Sequence, residues 1–485
     1  MTPAENRILV IDVGTSSLRA AVVGAEASVA HVHSRSLLPE SPAPGLVEFD
    51  GTLMATTVLE VARAALAAGG PVDGVGIANQ RASTLVWDRA TGVPVAPGLG
   101  WQDLRTIGTC LELAGEGIRI APNLSATKAH ALLDQVDPER TRDLCVGTVD
   151  SWVIWTLTEG ALHVTDPTNA ALTGMRTVEG RDWSDGVLAR LRITRESLPT
   201  VVDSVGLVGP ATALEGAPPI AGIAGDQQAS LVGQGCVAPG QAKATFGTGG
   251  MLDVIVGPER PPFGTRGPAG GFPIVTLGRD GALTWGVEAA MLSAGTNVEW
   301  LRDDMGLIAD AAESHPVAAS CDDSEGVWFV PALLGLGAPR WDYGARGTLL
   351  GVSRGSGRAQ VVRAVLEGVA HRGADLLEAA EADGGLPIAS LRVDGGMSDN
   401  PTFVQALADA TQRPIEVSPE REATTLGAAY LAGLASGVWA TAEEIAALWA
   451  PRMTVEPART LDRDRWQEAV RRSAHWIPEL SGLDF

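Results

Sequence analysis

Apolar residues along this chain come in short runs that break on Gly, Thr and Ser, and one such break recurs in kind. RILVIDV (Arg7–Val13) predicts a buried strand, GTSS a tight turn, and LRAAVVG a strand leading away. In the second half QAKATF (Gln241–Phe246) runs into GTGG and out through MLDVIVG. Both stretches predict β-hairpins. A helix near Leu53–Ala68 and a strand over Gly74–Asn79 complete the pattern of the first half. Between Val205 and Ala224, Gly, Pro and Ala thicken, which predicts irregular chain wrapping a domain edge.

Further on, Val362, Val365, Leu366, Val369, Leu376 and Leu377 form one stripe of a helix that stops at Gly384-Gly385. LRVDGG, PTFVQALADATQ, PIEVS and TTLGAAYLAGLASG then alternate strand and helix, implying helices over a mixed sheet. A chain of 485 residues exceeds one compact core. The boundary falls in GCVAPGQ (Gly235–Gln241), giving domains over residues 1–236 and 237–485.

Composition narrows the partners. The chain is 45% hydrophobic and 19% charged, ordinary for a globular protein, and its net charge of −22 opposes nucleic-acid and anionic-membrane binding. Cys110, Cys145, Cys236 and Cys321 lie far apart and read as buried free thiols of a reducing compartment. A basic leader and an 18-residue uncharged apolar run are both missing, so a soluble, cytoplasmic protein is expected. Seven histidines lack paired spacing, so no histidine metal site is expected.

Glycine turns let successive N–H groups converge on an anion, and the hydroxyls of Thr15, Ser16, Ser17 and Thr248 add donors. One such turn is commonly just a hairpin; two facing each other would clamp a polyphosphate. Gly395-Gly396 followed by Asn400-Pro401, an N-cap and first-turn pair, adds a cradle for a nucleoside or phosphate. Polar residues gather at strand ends: Gln80 and Arg81, then Trp101, Gln102 and Asp103, then Asp226 and Gln227. Plain alternatives stand beside these: Asp226 as a helix N-cap, Arg81 as a surface cation, Trp101 as core. Trp152, Trp155, Trp285 and Trp300 are assigned to packing.

DVGTSSLRA, GIANQRASTLVWDRATGVPV, WQDLRT, IAGDQQASLVGQ, FGTGG, FVPALLGLGAPRWDYGARG, VDGGMSDN and TTLGAAYLAGLASG follow the order found in the FGGY carbohydrate kinases. The chain resembles that family, its glycerol kinases most, from Ile8 to Ile445. The resemblance implies an α/β protein of two actin-like, ribonuclease-H-like domains with ATP and a small polyol or sugar in the cleft between them. It implies Asp226 as general base, Asp12 and Asp226 as the carboxylates near Mg²⁺, and a homodimer or tetramer. Thr15, Ser16, Ser17 and Arg19 match the first phosphate loop, Thr248 the second, and Gly295, Gly396 and Asn400 the rest of the nucleotide site.

Four positions depart from the glycerol kinases. Ala82 stands for a glutamate that bonds the triol, Asn123 for a tyrosine, Met251 for an aromatic residue, and Glu299 for a glutamine near the nucleotide. Arg81, Trp101, Asp226 and Gln227 remain. A lost charge-assisted hydrogen bond of roughly 1.5–3 kcal/mol weakens glycerol about 10- to 150-fold. A roomier pocket is therefore expected, for a four- or five-carbon polyol or ketose. Glycerol is the second reading, and a nucleotide-dependent sugar sensor without catalysis the third.

Overall fold

The computed structural model describes residues 6–180, 182–419 and 422–484. Thirteen strands form one continuous twisted sheet: β1 (Arg7–Val13), β2 (Ser17–Gly24), β3 (Val29–Ser36), β4 (Gly74–Asn79), β5 (Val205–Pro210), β6 (Pro219–Gly225), β7 (Ala242–Phe246), β8 (Gly250–Gly257), β9 (Phe272–Arg279), β10 (Ala282–Met291), β11 (Leu391–Asp394), β12 (Ile415–Val417) and β13 (Met453–Val455). Their spatial order is β13-β12-β11-β7-β8-β10-β9-β5-β6-β4-β1-β2-β3.

The sheet contains the same arrangement twice. β1 pairs antiparallel with β2 and parallel with β4, and β4 is parallel to β6. β7 pairs antiparallel with β8 and parallel with β11, and β11 is parallel to β12. Both hairpins thus hold equivalent places in two lobes. The lobes meet edge to edge where Val205 of β5 pairs with Arg279 of β9.

The helices that matter for the site are α1 (Gly51–Gly69), α2 (Asp226–Gly233), α3 (Thr296–Asp303), α4 (Arg358–Gly384), α5 (Pro401–Thr411), α6 (Ala423–Ser436) and α7 (Arg463–Ser473). α4 buries its whole sequence stripe against the second lobe, together with Leu252, Val254, Val287 and Ala289 of the sheet. It ends at Gly385, left-handed at φ +68°, whose N–H bonds Glu381 O. Among the described residues α1 alone is long and apolar enough to cross a membrane. It instead buries Met54, Val58, Val61 and Ala65 in the first-lobe core.

One expectation fails. The Gly/Pro/Ala stretch from Val205 forms β5 and β6, antiparallel partners inside the sheet, and β6 is almost wholly buried. Its small residues serve close packing. α6, late in the chain, crosses back and packs on α2, β6, β4 and β1. A Cβ on Gly76 of β4 would overlap Ala428 O, one on Gly222 of β6 would overlap Ala432 N, and one on Gly427 of α6 would overlap Ala229 O. Helix and sheet backbones touch without side chains between them. Of the four thiols, Cys110, Cys145 and Cys236 are buried as expected, while Cys321 is half-buried.

At the other end, His371 of α4 stacks on Trp466 of α7, ring centroids 4.8 Å apart, and Arg463 donates to its Nδ1 at 3.2 Å. Burial, helped by Arg463 and opposed by Asp375, pushes its pKa down from 6.5 to about 3. The unfolded chain therefore takes up this proton first, and stability contributed by neutral His371 is present above pH 6.5 and drains as pH falls toward 3.

Gly76→Ala should destabilise by about 1–3 kcal/mol or more through forced separation of α6 from β4, read as a lower urea midpoint. His371→Phe should lose less stability than the parent between pH 7 and pH 5, followed by thermal melts at each pH.

Candidate active site

β1 delivers Asp12 to the cleft with Arg19 of β2 as its register partner. The turn closes through Gly14 N–H to Ser17 O, 2.9 Å, leaving Ser16 exposed and Ser17 half-buried. Trp101, half-buried, donates from Nε1 to Thr15 Oγ1 at 3.2 Å and so props the turn. Gln80, following β4, donates from Nε2 to Gly14 O at 3.2 Å. Ser83 Oγ in turn bonds Gln80 Oε1 and receives the Trp101 N–H. Arg19 forms an ion pair with Glu422, immediately before α6.

Ala82 adopts φ +63°, unusual for a residue with a Cβ. Its carbonyl is clamped by the hydroxyls of Thr84 and Ser125, each at 3.0 Å, and the residue is only 4% exposed. Asn123 is exposed in the loop before the helix Ser125–Val136. Buried Lys128 pins that loop by donating to Pro122 O and Leu124 O. Asp103 turns away from the cleft: it is fully buried and accepts from Val47 N and Arg105.

Asp226 is the first residue of α2, but Gly225 is the N-cap and no side chain caps this helix. The capping alternative is thereby removed. Among the described residues its Oδ1 accepts only the adjacent Gln227 N–H, 2.8 Å, and lies 3.4 Å from Arg81 Nε. Burial raises the Asp226 pKa against the opposing pull of Arg81. Asp12 is pushed up to about 7, chiefly by burial, with Arg19 opposing and Asp226 adding to the rise. The Asp226 carboxylate, carried like Asp12 by the first lobe, thus adds like-charge repulsion to the burial of Asp12.

Arg81 is no surface cation. A Cβ on Gly225 would lie 2.7 Å from its Cδ, so that glycine is what lets the side chain cross. Its Nη2 lies 2.8 Å from Glu288 of β10 and 3.7 Å from Met251 Sδ, and Nη1 reaches Gln228 Oε1 at 3.4 Å. Burial alone would lower its pKa; Glu288, Asp226 and Asp253 outweigh that and raise it. Gln227 Oε1 accepts from Lys243 Nζ at 2.5 Å, and that ammonium lies 2.9 Å from Asp253. Sequence reasoning missed Glu288, Asp253 and Lys243. The available signal was an ionisable residue inside each of three strands otherwise reading as buried.

On the second lobe Thr248 is exposed at the tip of the β7–β8 turn. Its carbonyl accepts Ala294 N–H at 2.8 Å, and Gly247 O accepts Gly295 N–H at 2.8 Å. Gly295 needs its missing side chain, since a Cβ would lie 2.6 Å from Gly247 O. α3 starts directly from this contact, carrying Glu299 exposed in its first turn. β11 ends at Gly395, φ +85°, packed on Phe246, and Gly396 opens a short 3₁₀ turn with space around it. Asn400 caps α5 by accepting Phe403 N–H and donates to Ser314 Oγ at 2.8 Å. The sequence-derived residues thus fall into one group around Asp226 and another around the β7–β8 turn.

Among the described residues, nowhere do three or more His, Cys, Asp or Glu side chains cluster as a metal cage. A pair of cleft carboxylates suits a hard cation that keeps most of its shell in water and phosphate oxygens, as Mg²⁺ does.

The N-terminal domain of the FGGY family of carbohydrate kinases matches residues 7–233, and its C-terminal domain residues 242–436. A glycerol kinase of Aromatoleum aromaticum is 42% identical, covering 97% of this chain and 99% of that relative. One of Bordetella parapertussis is 40% identical, covering 99% of each. Among solved structures, Plasmodium falciparum glycerol kinase with ADP superposes with a TM-score of 0.89 at 28% identity, covering 96% of this chain and 98% of that one. A ligand-bound xylulose kinase from Lactobacillus acidophilus shares the fold at a TM-score of 0.84 and 20% identity, covering 98% of each. The chain belongs to the FGGY family of carbohydrate kinases, two-domain phosphotransferases of the actin-like, ribonuclease-H-like fold that use ATP with Mg²⁺ as the usual metal.

Proposed function

We propose that this kinase phosphorylates glycerol, forming glycerol 3-phosphate. The observation that carries this reading is Ala82. The expectation of a longer acceptor needs open volume where a glutamate side chain is missing, but Ala82 is 4% exposed with its carbonyl pinned on both sides. Shortening that side chain leaves no accessible space beside it. Glu288 meanwhile keeps a carboxylate against Arg81. The names of the relatives at 40% identity and above support the same acceptor.

In this reading the acceptor lies beside Arg81, Trp101, Gln227 and Met251, with Asn123 at the rim. Asp226 takes the proton of the attacking hydroxyl, while Arg81 holds an adjacent hydroxyl and keeps Asp226 in place. Thr15, Ser16, Ser17 and Arg19 face the phosphates from one lobe and Thr248 from the other. Gly295, Glu299, Gly396 and Asn400 surround the nucleoside. Asp12 and Asp226 would hold Mg²⁺, which when bound offsets phosphate charge. The chain's own part is to hold the acceptor oxygen in line with the γ-phosphorus and to exclude water. In this reading a division at residues 236–237 leaves the Thr15–Arg19 turn in one lobe and the Thr248 turn in the other, with α6 returning to the first.

Asp226→Asn should lower kcat by at least about 10²-fold while leaving ADP affinity and melting temperature near the parent's, by coupled assay and calorimetry. Across a panel of polyols and ketoses of three to six carbons, glycerol should give the highest kcat/KM in an ADP-release assay. A better four- or five-carbon acceptor would overturn the glycerol reading and leave the kinase class intact.

A further inference from the structure

A pair of carboxylates stands behind Arg81. Asp253 of β8 and Glu288 of β10 are register partners on adjacent antiparallel strands. Such partners point to the same face with Cβ atoms about 4.5–5.5 Å apart, and two like charges there repel. Their neighbours Leu252, Val254, Val287 and Ala289 point the other way, into the core with α4. Both carboxylates are buried, Asp253 at 1% exposure and Glu288 at 7%.

Neither Asp253 oxygen nor Glu288 Oε2 receives a directed hydrogen bond from the described residues; their contacts are the ion pairs to Lys243 and Arg81. The groups facing this patch are Arg81 from the turn after β4, Asp226 from α2 and Lys243 from β7. Farther along the face, Asp394 of β11 is occupied by Ser230 and Gln234, and Arg392 lies against Cys236 and Gln234 O. Arg81 is thus held from two sides, by Asp226 at 3.4 Å and by Glu288 at 2.8 Å, while Lys243 answers Asp253 at 2.9 Å.

We propose that Glu288 is a positioning residue: its carboxylate, set behind Arg81 by the strand pairing, fixes Arg81 Nη2 in the acceptor pocket. Burial, opposed by Arg81 and reinforced by Asp253, pushes Glu288 up to about 7, so its ion pair with Arg81 weakens as pH falls through that value. The inference rests on Arg81 meeting the acceptor, and it holds for whichever polyol proves best.

The test uses the full-length enzyme with the panel's best acceptor, whose identity the parent alone decides. Glu288→Gln should raise the acceptor KM about 10- to 150-fold, the loss of a charge-assisted bond, while the ATP KM moves less than about 2-fold. Asp253→Asn removes the neighbouring negative charge, so the pH at which the acceptor KM titrates should shift downward relative to the parent. An unchanged acceptor KM in Glu288→Gln, or equal rises for acceptor and ATP with a lowered melting temperature, overturns the proposal. So does an Asp253→Asn profile that tracks the parent at every pH. If Glu288→Gln does not fold, the Asp253→Asn profile decides alone.

Discussion

A single buried guanidinium ties the two lobes together beside Asp226. Arg81 leaves the end of a first-lobe strand, lies across Gly225, touches Asp226 at 3.4 Å and ends 2.8 Å from Glu288 of the second lobe. A charge so placed is tolerated only while its partners surround it, since stripping its hydration costs several kcal/mol. Its planar fork meets a carboxylate at one end and the softer Met251 sulfur beside it. Lysine would offer a point charge and lose the simultaneous reach to Asp226, Gln228 and Glu288.

Around this contact the two lobes contribute equivalent parts of one repeated sheet. The first hairpin is stiffened by Trp101 and Gln80, the second by the backbone of Ala294 and Gly295. Each turn is held by backbone and neighbouring side-chain bonds, with the side chain of Ser16 or Thr248 exposed at its tip. Rigid support beneath a polar tip is what a site needs to place groups without paying ordering entropy at the moment of binding.

Much of this was legible in the sequence, for physical reasons. The hairpins, the α4 stripe with its glycine stop and the Asn400-Pro401 helix start are local, and their signals lie within a few residues. The stretch from Val205 misled because glycine and alanine serve two ends: they loosen exposed loops and also let backbones touch. Only the partner, Ala432 of α6 against Gly222, distinguishes the two uses, and it lies some two hundred residues away in the chain. Asp226 was legible as a candidate, but its freedom from capping became visible only with Gly225 in place. Glu288 and Asp253 were hidden because a pairing across strands depends on register, which no single strand reveals. Ala82 was read for what its side chain lacks, whereas its backbone conformation and burial decide what that loss does.

The return of α6 to the first lobe also governs how the chain divides. Strands β4 and β6 present glycines and alanines, and β1 presents Ile8 and Val10, to a helix translated long after them, and until it arrives that face of the sheet lacks its cover. Severing the polypeptide near residue 237 would strip the leading half of its own cover and leave the trailing half with an apolar helix seeking a home. The two lobes are thus unequal as units of synthesis, and the first completes itself only when the second has almost finished.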